Sequence, residues 1–551
     1  MSERFLLSGD QAVALAALHA GVARGTGYPG TPSTEILESF AEIGGNAAWA
    51  PNEKVALEVA LGLSFGGVRT ICTMKHVGVN VAADVLFTMA LTGVKGGLVL
   101  VSADDPGMHS SQNEQDNRRY AVAAAVPMVE PADSQEAYDL TREAFEISER
   151  WQLPVILRMT TRVCHSKSIV RPRAPRAIST SKGFERDIKG HVMIPAYARA
   201  AHRKLRGKLA EIAAWNESSP LNITHDSGQR ELGIITSGIC YVHAREAAPD
   251  ARVLKIGLTY PLPIEKIRAF AASVERCVVI EEGDPILADA LRAAGIAVES
   301  KAEMYRFNEL DVGRVRRILA KDVSPEPAPA RGKPPQLCQG CPYHTIYGAL
   351  KKLDCIVAGD IGCYTLGVLP PYEAMDTCVC MGASITVGLG LRHALPEKDA
   401  RRVVSVIGDS TFMHSGLVGL AEMVYNPPPT GHVVIILDNG TTAMTGQQEH
   451  PGTGRTLSHE PTNRIAPEKI AIAMNVPFIE VTDAQADPAA FEQLLKERLA
   501  SNELSLIINR KPCILAAAKI RQYETTNAAK SAYQSNNVCA SCSGDRAGQK
   551  E

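Results

Sequence analysis

Aromatic side chains are scarce: Phe, Tyr and Trp together make up 5% of the 551 residues. Charge of one sign is equally lacking, since 58 basic residues stand against 60 acidic ones for a net charge of −2. That balance removes the electrostatic reason to expect nucleic acid or an acidic membrane surface as partner. No apolar run reaches the roughly 18 uncharged residues of a membrane span. The best stretch, Val77 to Val101, is interrupted by Asn80, Asp84 and Lys95. The opening MSERFLLSGDQAV has no basic segment followed by an apolar block and a cleavage site, so a cytoplasmic protein is expected. Thirteen cysteines in this length are too dilute for a disulfide scaffold and fit a reducing compartment.

What is present reads as α/β. Short apolar runs such as VRTICTM, GGLVLVSADD and LPVILRMT are bounded by Gly, Pro or Asp, as expected of strands buried on both faces of a parallel sheet. They alternate with helical segments across residues 1–170. Residues 171–230 turn basic and polar around HRKLRGKLAEIAAW and read as a linker with a helical insert. A smaller α/β module is expected over 231–325, with strands at ELGIITSG, ARVLKIG and CVVIEEG. After the proline-rich SPEPAPARGKPPQ comes a third α/β segment over 335–517, with strands at DCIVAGD, RVVSVIGD, GHVVIILDN and LSLIINR. The polar residues 518–551 are expected to be a disordered tail.

The most informative pattern is the GDS of VVSVIGDSTF and the DN of VVIILDNGTTAMTG, separated by 27 residues (411–437). Each closes a predicted strand, and ligands of open α/β sheets bind at strand ends. Asp409, Asn439 and the backbone carbonyl of Thr441 offer the few hard oxygens that Mg²⁺ takes from protein when phosphate and water complete its octahedron. Gly408 permits close approach, and the amides beyond Asp409 open a helix whose N-terminus favours anions. A diphosphate held through Mg²⁺ is the expectation; two ordinary turns are the plainer alternative.

The same segment resembles the thiamine diphosphate motif, a GDG followed about 27 residues later by NN, with Ser410 in place of the last Gly and Asp438 in place of the first Asn. With TAMTGQQEHPGTG, it is similar to the indolepyruvate-type α subunits of the 2-oxoacid:ferredoxin oxidoreductases over roughly residues 5–517. The resemblance implies two doubly wound parallel-sheet domains of pyrimidine and diphosphate type, separated by a smaller, transketolase C-terminal-like α/β domain. Gly408, Asp409, Ser410, Asn439, Thr441 and Gly382 become the cofactor-binding residues. Such enzymes need a carboxylate beside N1′ of the aminopyrimidine to promote loss of the thiazolium C2 proton. Glu53 in PNEKVALEVALGLSFGG, with Gly62 nine residues on, matches the family's spacing. Glu58 is the competitor, and an acid favoured by a helix N-terminus is the plain alternative for Glu53. GYPGTPST resembles the family's substrate loop, which gives Thr31 the 2-oxoacid carboxylate; a capping turn explains it as well. The polar SADDPGMHSSQNEQDNRRYA can supply His109, Gln115 or Arg118, a surface salt bridge being the alternative for Arg118.

Cys72, Cys164, Cys240 and Cys277 stand alone in apolar runs and read as buried, inert thiols. Cys338 and Cys341 in CQGCP, Cys363 in GDIGCY and Cys513 in KPCI are a set able to hold a [4Fe-4S] cluster, with tetrahedral zinc as the alternative. Their order resembles the proximal cluster of pyruvate ferredoxin oxidoreductases. Cys378 and Cys380 are expected to pack under the cofactor loop. The family's α subunits continue into a ferredoxin-like module with two cysteine arrays, whereas Cys539 and Cys542 stand alone here and are expected to be a vestige or to be completed by another subunit. The resemblance implies oxidative decarboxylation of an arylpyruvate (indolepyruvate or phenylpyruvate) to arylacetyl-CoA. Thiamine diphosphate, Mg²⁺ and a [4Fe-4S] cluster are the cofactors. A β subunit, coenzyme A and ferredoxin or a similar acceptor are the partners. A non-oxidative thiamine decarboxylase or carboligase, or a subunit kept for assembly, is the competing expectation.

Overall fold

The computed structural model describes residues 4–181, 183–327, 332 and 334–526. The chain divides into two compact units, residues 1–330 and 331–551.

The first unit begins with β1 (Phe5–Ser8), α1 (Gly9–His19), β2 (Arg24–Gly27), α2 (Thr34–Glu42), β3 (Ala47–Trp49), α3 (Glu53–Phe65), β4 (Thr70–Lys75) and α4 (His76–Val81). Its later strands are β5 (Leu98–Asp104), β6 (Met128–Val129), β7 (Val155–Thr160), β8 (Lys167–Val170), β9 (Ile223–His225), β10 (Leu232–Thr236), β11 (Arg252–Lys255), β12 (Leu258–Tyr260) and β13 (Arg276–Ile280). Seven of them form a sheet in the order β12-β6-β7-β5-β4-β2-β3, parallel except where β12 runs against β6. A second sheet has the order β13-β10-β11-β9.

Local chemistry sets the helix starts. Ser8 Oγ accepts from Gln11 N at 3.2 Å while Gln11 Oε1 accepts from Ser8 N at 3.0 Å, the reciprocal box that satisfies two free donors of α1. Asn52 Oδ1 accepts from Val55 N at 2.9 Å and so fixes Glu53 as the first residue of α3.

The boundaries expected at 170 and 231 do not separate independent bodies. Leu205, Leu209 and Ile212, one face of the helix Pro195–Asn216, are buried in the same core as the first sheet. Burial of each contributes about 1.5–3 kcal/mol. Trp215 of this helix packs 5.1 Å from Trp151. The 231–325 segment adds Ile234, Val253 and Ile280 to that core and gives β12 to the seven-stranded sheet. Even the irregular stretch after β8 is pinned: Arg176 N donates to His19 O at 2.9 Å and Ser179 N to Gly21 O at 2.8 Å.

The second unit contains β14 (Ile356–Ala358), β15 (Val403–Gly408), β16 (His432–Asp438), β17 (Phe478–Thr482) and β18 (Leu504–Arg510). They form one parallel sheet in the order β14-β15-β16-β18-β17. Side chains of β16 alternate between two apolar layers. Val433, Ile435 and Leu437 pack with Tyr347, Leu350 and Phe491, whereas Val434 and Ile436 pack with Ile385, Leu389 and Leu420. Period two with both faces buried is the signature of a doubly wound sheet. Residues 517–526 are helical, which corrects the expectation of disorder from 518 onward. The apolar Ala516 and Ile520 are buried there and give that helix a packed face. Cys539 and Cys542 lie outside the described residues. Among the described residues no helix is long and apolar enough to cross a membrane.

Candidate functional site

In the first unit the carboxyl ends of β2, β4 and β5 converge on one edge. Glu53 is 4% exposed there, a degree of burial that sets it apart from an ordinary helix-start acid. A Cβ added at Gly78 of α4 would lie 2.7 Å from both Glu53 Cγ and Oε1, so α4 presses its backbone directly on this side chain. Glu58 points away and pairs with Lys54 on the exposed face. The turn carrying Thr31 is closed by Ser33 N donating to Gly30 O at 2.8 Å and Gly30 N donating to Thr34 Oγ1 at 2.9 Å. A Cβ at Gly30 would meet Lys75 Cδ at 3.0 Å, so the stem of Lys75 lines this turn. Burial pushes the Lys75 ammonium below its ordinary range, opposed by the charges of Asp105 and Glu53. Lys75, which sequence reasoning missed, thus sits among Gly30, Glu53 and the loop after β5, where its Nζ donates to Ser110 O at 2.9 Å.

That loop does not deliver the residues expected of it. His109 is turned outward, with Nε2 3.8 Å from Glu309 Oε2 and its side chain 55% exposed. The reason is Asp105, which accepts from the backbone of His109 at 3.3 Å and of Ser110 at 2.9 Å and so curls the chain on itself. Gln115 is a strut, donating to His76 O at 2.6 Å and Asn117 Oδ1 at 3.0 Å. Arg118 is no surface ion pair: it is 6% exposed and bonds Asp116 and, at 2.6 Å, Glu281 Oε2.

In the second unit β15 and β16 are neighbours, with Gly408 opposite Leu437, and their ends bring Asp409 and Asn439 to one point. Asp409, 3% exposed, accepts from Gly440 N at 2.8 Å and from Ser410 N at 2.9 Å. His450 Nε2 lies 3.2 Å from Asp409 Oδ2. Asn439 Oδ1 accepts from Thr441 N at 2.9 Å, and its Nδ2 donates to the hydroxyl of Tyr343 at 2.6 Å. Ser410 Oγ accepts from Thr442 Oγ1 at 2.8 Å, which ties the two strand ends together through the residue that replaces the expected glycine. Asp438, in place of an asparagine, turns to Arg510 at 2.7 Å. Burial and the nearby Asp409 raise the Asp438 carboxyl above its ordinary range.

The donor set fits Mg²⁺: one carboxylate, one amide oxygen and a chain carbonyl, all hard oxygens on adjoining strand ends. Gly408 is required by packing: a Cβ there would lie 2.7 Å from the ring of Tyr364, which fills the space beside this strand end. Gly382 is different. Its N–H is taken by Asp360 Oδ1 at 2.8 Å, and with φ at +87° a Cβ there would lie 2.4 Å from Ser415. It serves the tight start of the helix Ala383–Ala394 and does not offer its amide to a diphosphate.

The cysteines assemble as a set. Burial, then the neighbouring Cys338 and Cys513, push the Cys341 thiol up to about 11. Burial, followed by Cys513, Cys341 and Cys338, does the same to Cys363. Gly340, at φ +80°, provides the turn that lets Cys341 N donate to Cys338 O at 3.0 Å. Cys513 N donates to Asn439 O at 3.0 Å, so this sulfur is attached through one backbone bond to the Asp409–Asn439 site. Among the described residues no three of these sulfurs lie within 4.8 Å of one another, which is wider than a zinc tetrahedron and leaves the larger iron–sulfur cluster as the group they suit. Cys378 and Cys380 are exposed and do not pack under the loop. Cys72, Cys164, Cys240 and Cys277 are buried.

Two family models match the chain. One describes the thiamine diphosphate-binding part of pyruvate flavodoxin/ferredoxin oxidoreductases, over residues 15–201. The other describes the C-terminal thiamine pyrophosphate-binding domain of thiamine enzymes, over residues 360–508. The chain is 38% identical to the indolepyruvate oxidoreductase subunit IorA of Archaeoglobus fulgidus, covering 98% of this chain and 91% of that protein. It is 37% identical to the IorA subunit of Thermococcus kodakarensis, over 93% and 86%. Among solved structures, it is similar in fold to the 2-oxoglutarate:ferredoxin oxidoreductase from Magnetococcus marinus, with a TM-score of 0.50 and 17% identity over 59% of this chain and 66% of that one.

Proposed function

This chain belongs to the indolepyruvate oxidoreductase subunit IorA family, and from that premise we propose that it oxidatively decarboxylates an arylpyruvate with coenzyme A. It is an oxidoreductase subunit with thiamine diphosphate-binding domains of the 2-oxoacid:ferredoxin type. The balanced reaction takes the 2-oxoacid, coenzyme A thiol and two oxidised one-electron acceptors to acyl-CoA, CO₂, two reduced acceptors and one proton. Indolepyruvate or phenylpyruvate is the substrate, ferredoxin or a similar protein the acceptor, and a β subunit the partner.

Thiamine diphosphate, when bound, supplies the carbon that adds to the keto group and stores the electrons left as CO₂ departs. Asp409, Asn439 and the Thr441 carbonyl hold Mg²⁺ against the diphosphate. Glu53 shares a proton with the aminopyrimidine ring. The Thr31 hydroxyl binds the substrate carboxylate. Cys338, Cys341, Cys363 and Cys513, as thiolates, would hold the [4Fe-4S] cluster, which would supply a one-electron acceptor.

The observation that carries this reading is the bond from Cys513 N to Asn439 O, which ties the backbone of a proposed cluster ligand to that of a proposed metal ligand. The test is anaerobic purification with the partner subunit, iron and sulfide analysis, and a panel of 2-oxoacids with coenzyme A and a viologen dye. Cys338→Ser is expected to lose the absorbance near 400 nm and dye reduction together. A zinc-only protein, or dye reduction unchanged in Cys338→Ser, would refute the redox role. Glu53→Gln is expected to retain thiamine diphosphate binding and lose about 10²–10⁴-fold in turnover.

A further inference from the structure

The first turn of α1 holds a carboxylate that the proposed reaction leaves unused. Asp10 is 1% exposed, and among the described residues neither of its oxygens has a hydrogen bond of sound geometry. Burial and the charge of Glu35 push its carboxyl well above the ordinary range, and the thiol of Cys164 beside it is a weak offset. A buried polar group left without a strong partner is destabilising, so the fold must compensate it.

Two other side chains converge on it from separate elements. Glu35 lies in the first turn of α2, and His165 ends the helix Thr161–His165. One oxygen of each carboxylate and one ring nitrogen all lie within 4.8 Å of one another. The approach is built into the backbone: a Cβ at Gly9 would lie 2.1 Å from the carbonyl oxygen of Val163, so only glycine lets α1 meet that helix so closely. Two acids brought together repel unless a proton or a cation sits between them.

We propose that Asp10, Glu35 and His165 bind a divalent transition-metal ion of the zinc class. The mixed donor set decides the class. Mg²⁺ and Ca²⁺ take oxygen ligands, whereas an imidazole nitrogen with carboxylates suits zinc. Three protein ligands leave a fourth position for water. The ion ties the start of α1, the start of α2 and the end of the Thr161–His165 helix. Since Glu35 follows Thr31 by four residues, it anchors the helix that the Thr31 turn feeds.

The test is the full chain purified with its partner subunit, stripped by chelator and titrated with Zn²⁺ alone, with bound metal counted by atomic emission and affinity read by calorimetry. All variants carry Cys338→Ser as background, so that zinc held by the cysteine set does not mask the result. Glu35→Gln and His165→Ala replace exposed side chains and leave the fold intact. Each is expected to lose one equivalent of zinc or to bind it at least tenfold more weakly, and Asp10→Asn to abolish that equivalent. Zinc stoichiometry and affinity unchanged in both Glu35→Gln and His165→Ala would overturn the proposal. So would a background protein that binds no zinc that these variants lose, the outcome if Asp10 and Glu35 merely share a proton.

Discussion

Asn439 has its two side-chain atoms committed in different directions. The oxygen is oriented by Thr441 N, while the amide nitrogen is anchored on the Tyr343 hydroxyl at 2.6 Å. Tyr343 is 3% exposed, and burial, then the Asp409 carboxylate, drive its phenol well above the ordinary range; Cys341 and Cys363 add to the effect. It is therefore a neutral anchor that faces both the proposed metal ligands and the thiols. Tyr343→Phe strands a buried amide donor, at a cost of about 1–3 kcal/mol. About 1.4 kcal/mol is a tenfold change, so Mg²⁺–thiamine diphosphate affinity is expected to fall about 5- to 150-fold by calorimetry, with iron content retained. Unchanged affinity would remove Tyr343 from the site. Neither Tyr343 nor Lys75 was legible in the sequence. Asp409 and Asn439 were, because strand-end motifs announce themselves by spacing, whereas a tyrosine after CQGCP and a lysine closing a strand carry their roles only through contacts made across the fold.

Among elements, α4 is short, yet it determines where Glu53 points. Gly78 stands where any Cβ would collide with Glu53 Cγ and Oε1 at 2.7 Å, and the buried carboxylate has little room to yield. Gly78→Ala is accordingly expected to displace Glu53 and lower turnover about tenfold or more while thermal stability changes little, since alanine favours a helix by about 1 kcal/mol over glycine. Equal loss in Gly78→Ala and in a Glu53→Gln, Gly78→Ala double variant relative to their parents would show that Gly78 acts independently of Glu53. The central strands were readable because runs such as HVVIILD are buried along their whole length. The edge strands were not. β6 has two residues and β12 three, and β12 joins the first sheet from a segment that reads locally as part of another module. Pairing of that kind is decided by tertiary packing, which also turned an expected linker into a core helix.

At the scale of the whole molecule, the smaller sheet is held to the larger one within the first unit by buried charges. Arg118 bonds Asp116 beside the first sheet and Glu281 at the end of β13, while Arg158 braces Asp104 and Glu130 on the larger sheet's own side. The next residue, Glu282, shares this burial without an ion pair of its own among the described residues. It is 6% exposed and accepts from Leu310 N at 3.0 Å. Burial pushes its carboxyl up to about 7. The consequence for stability has a definite sign. Between about 4.5, the ordinary glutamate value, and about 7, the folded chain keeps a proton that the unfolded chain has lost. Stability from this group is complete below that window and falls as pH rises through it, with a slope of at most about 1.4 kcal/mol per pH unit. Glu282→Gln replaces the neutral acid by a neutral amide that can still accept from Leu310 N, and so removes the slope. Its melting temperature is expected to match the parent near pH 5 and exceed it above pH 7, the two profiles diverging across the window. Parallel melting profiles from pH 5 to 8 would mean that Glu282 ionises as an ordinary glutamate and that the junction between the two sheets carries no protonated acid.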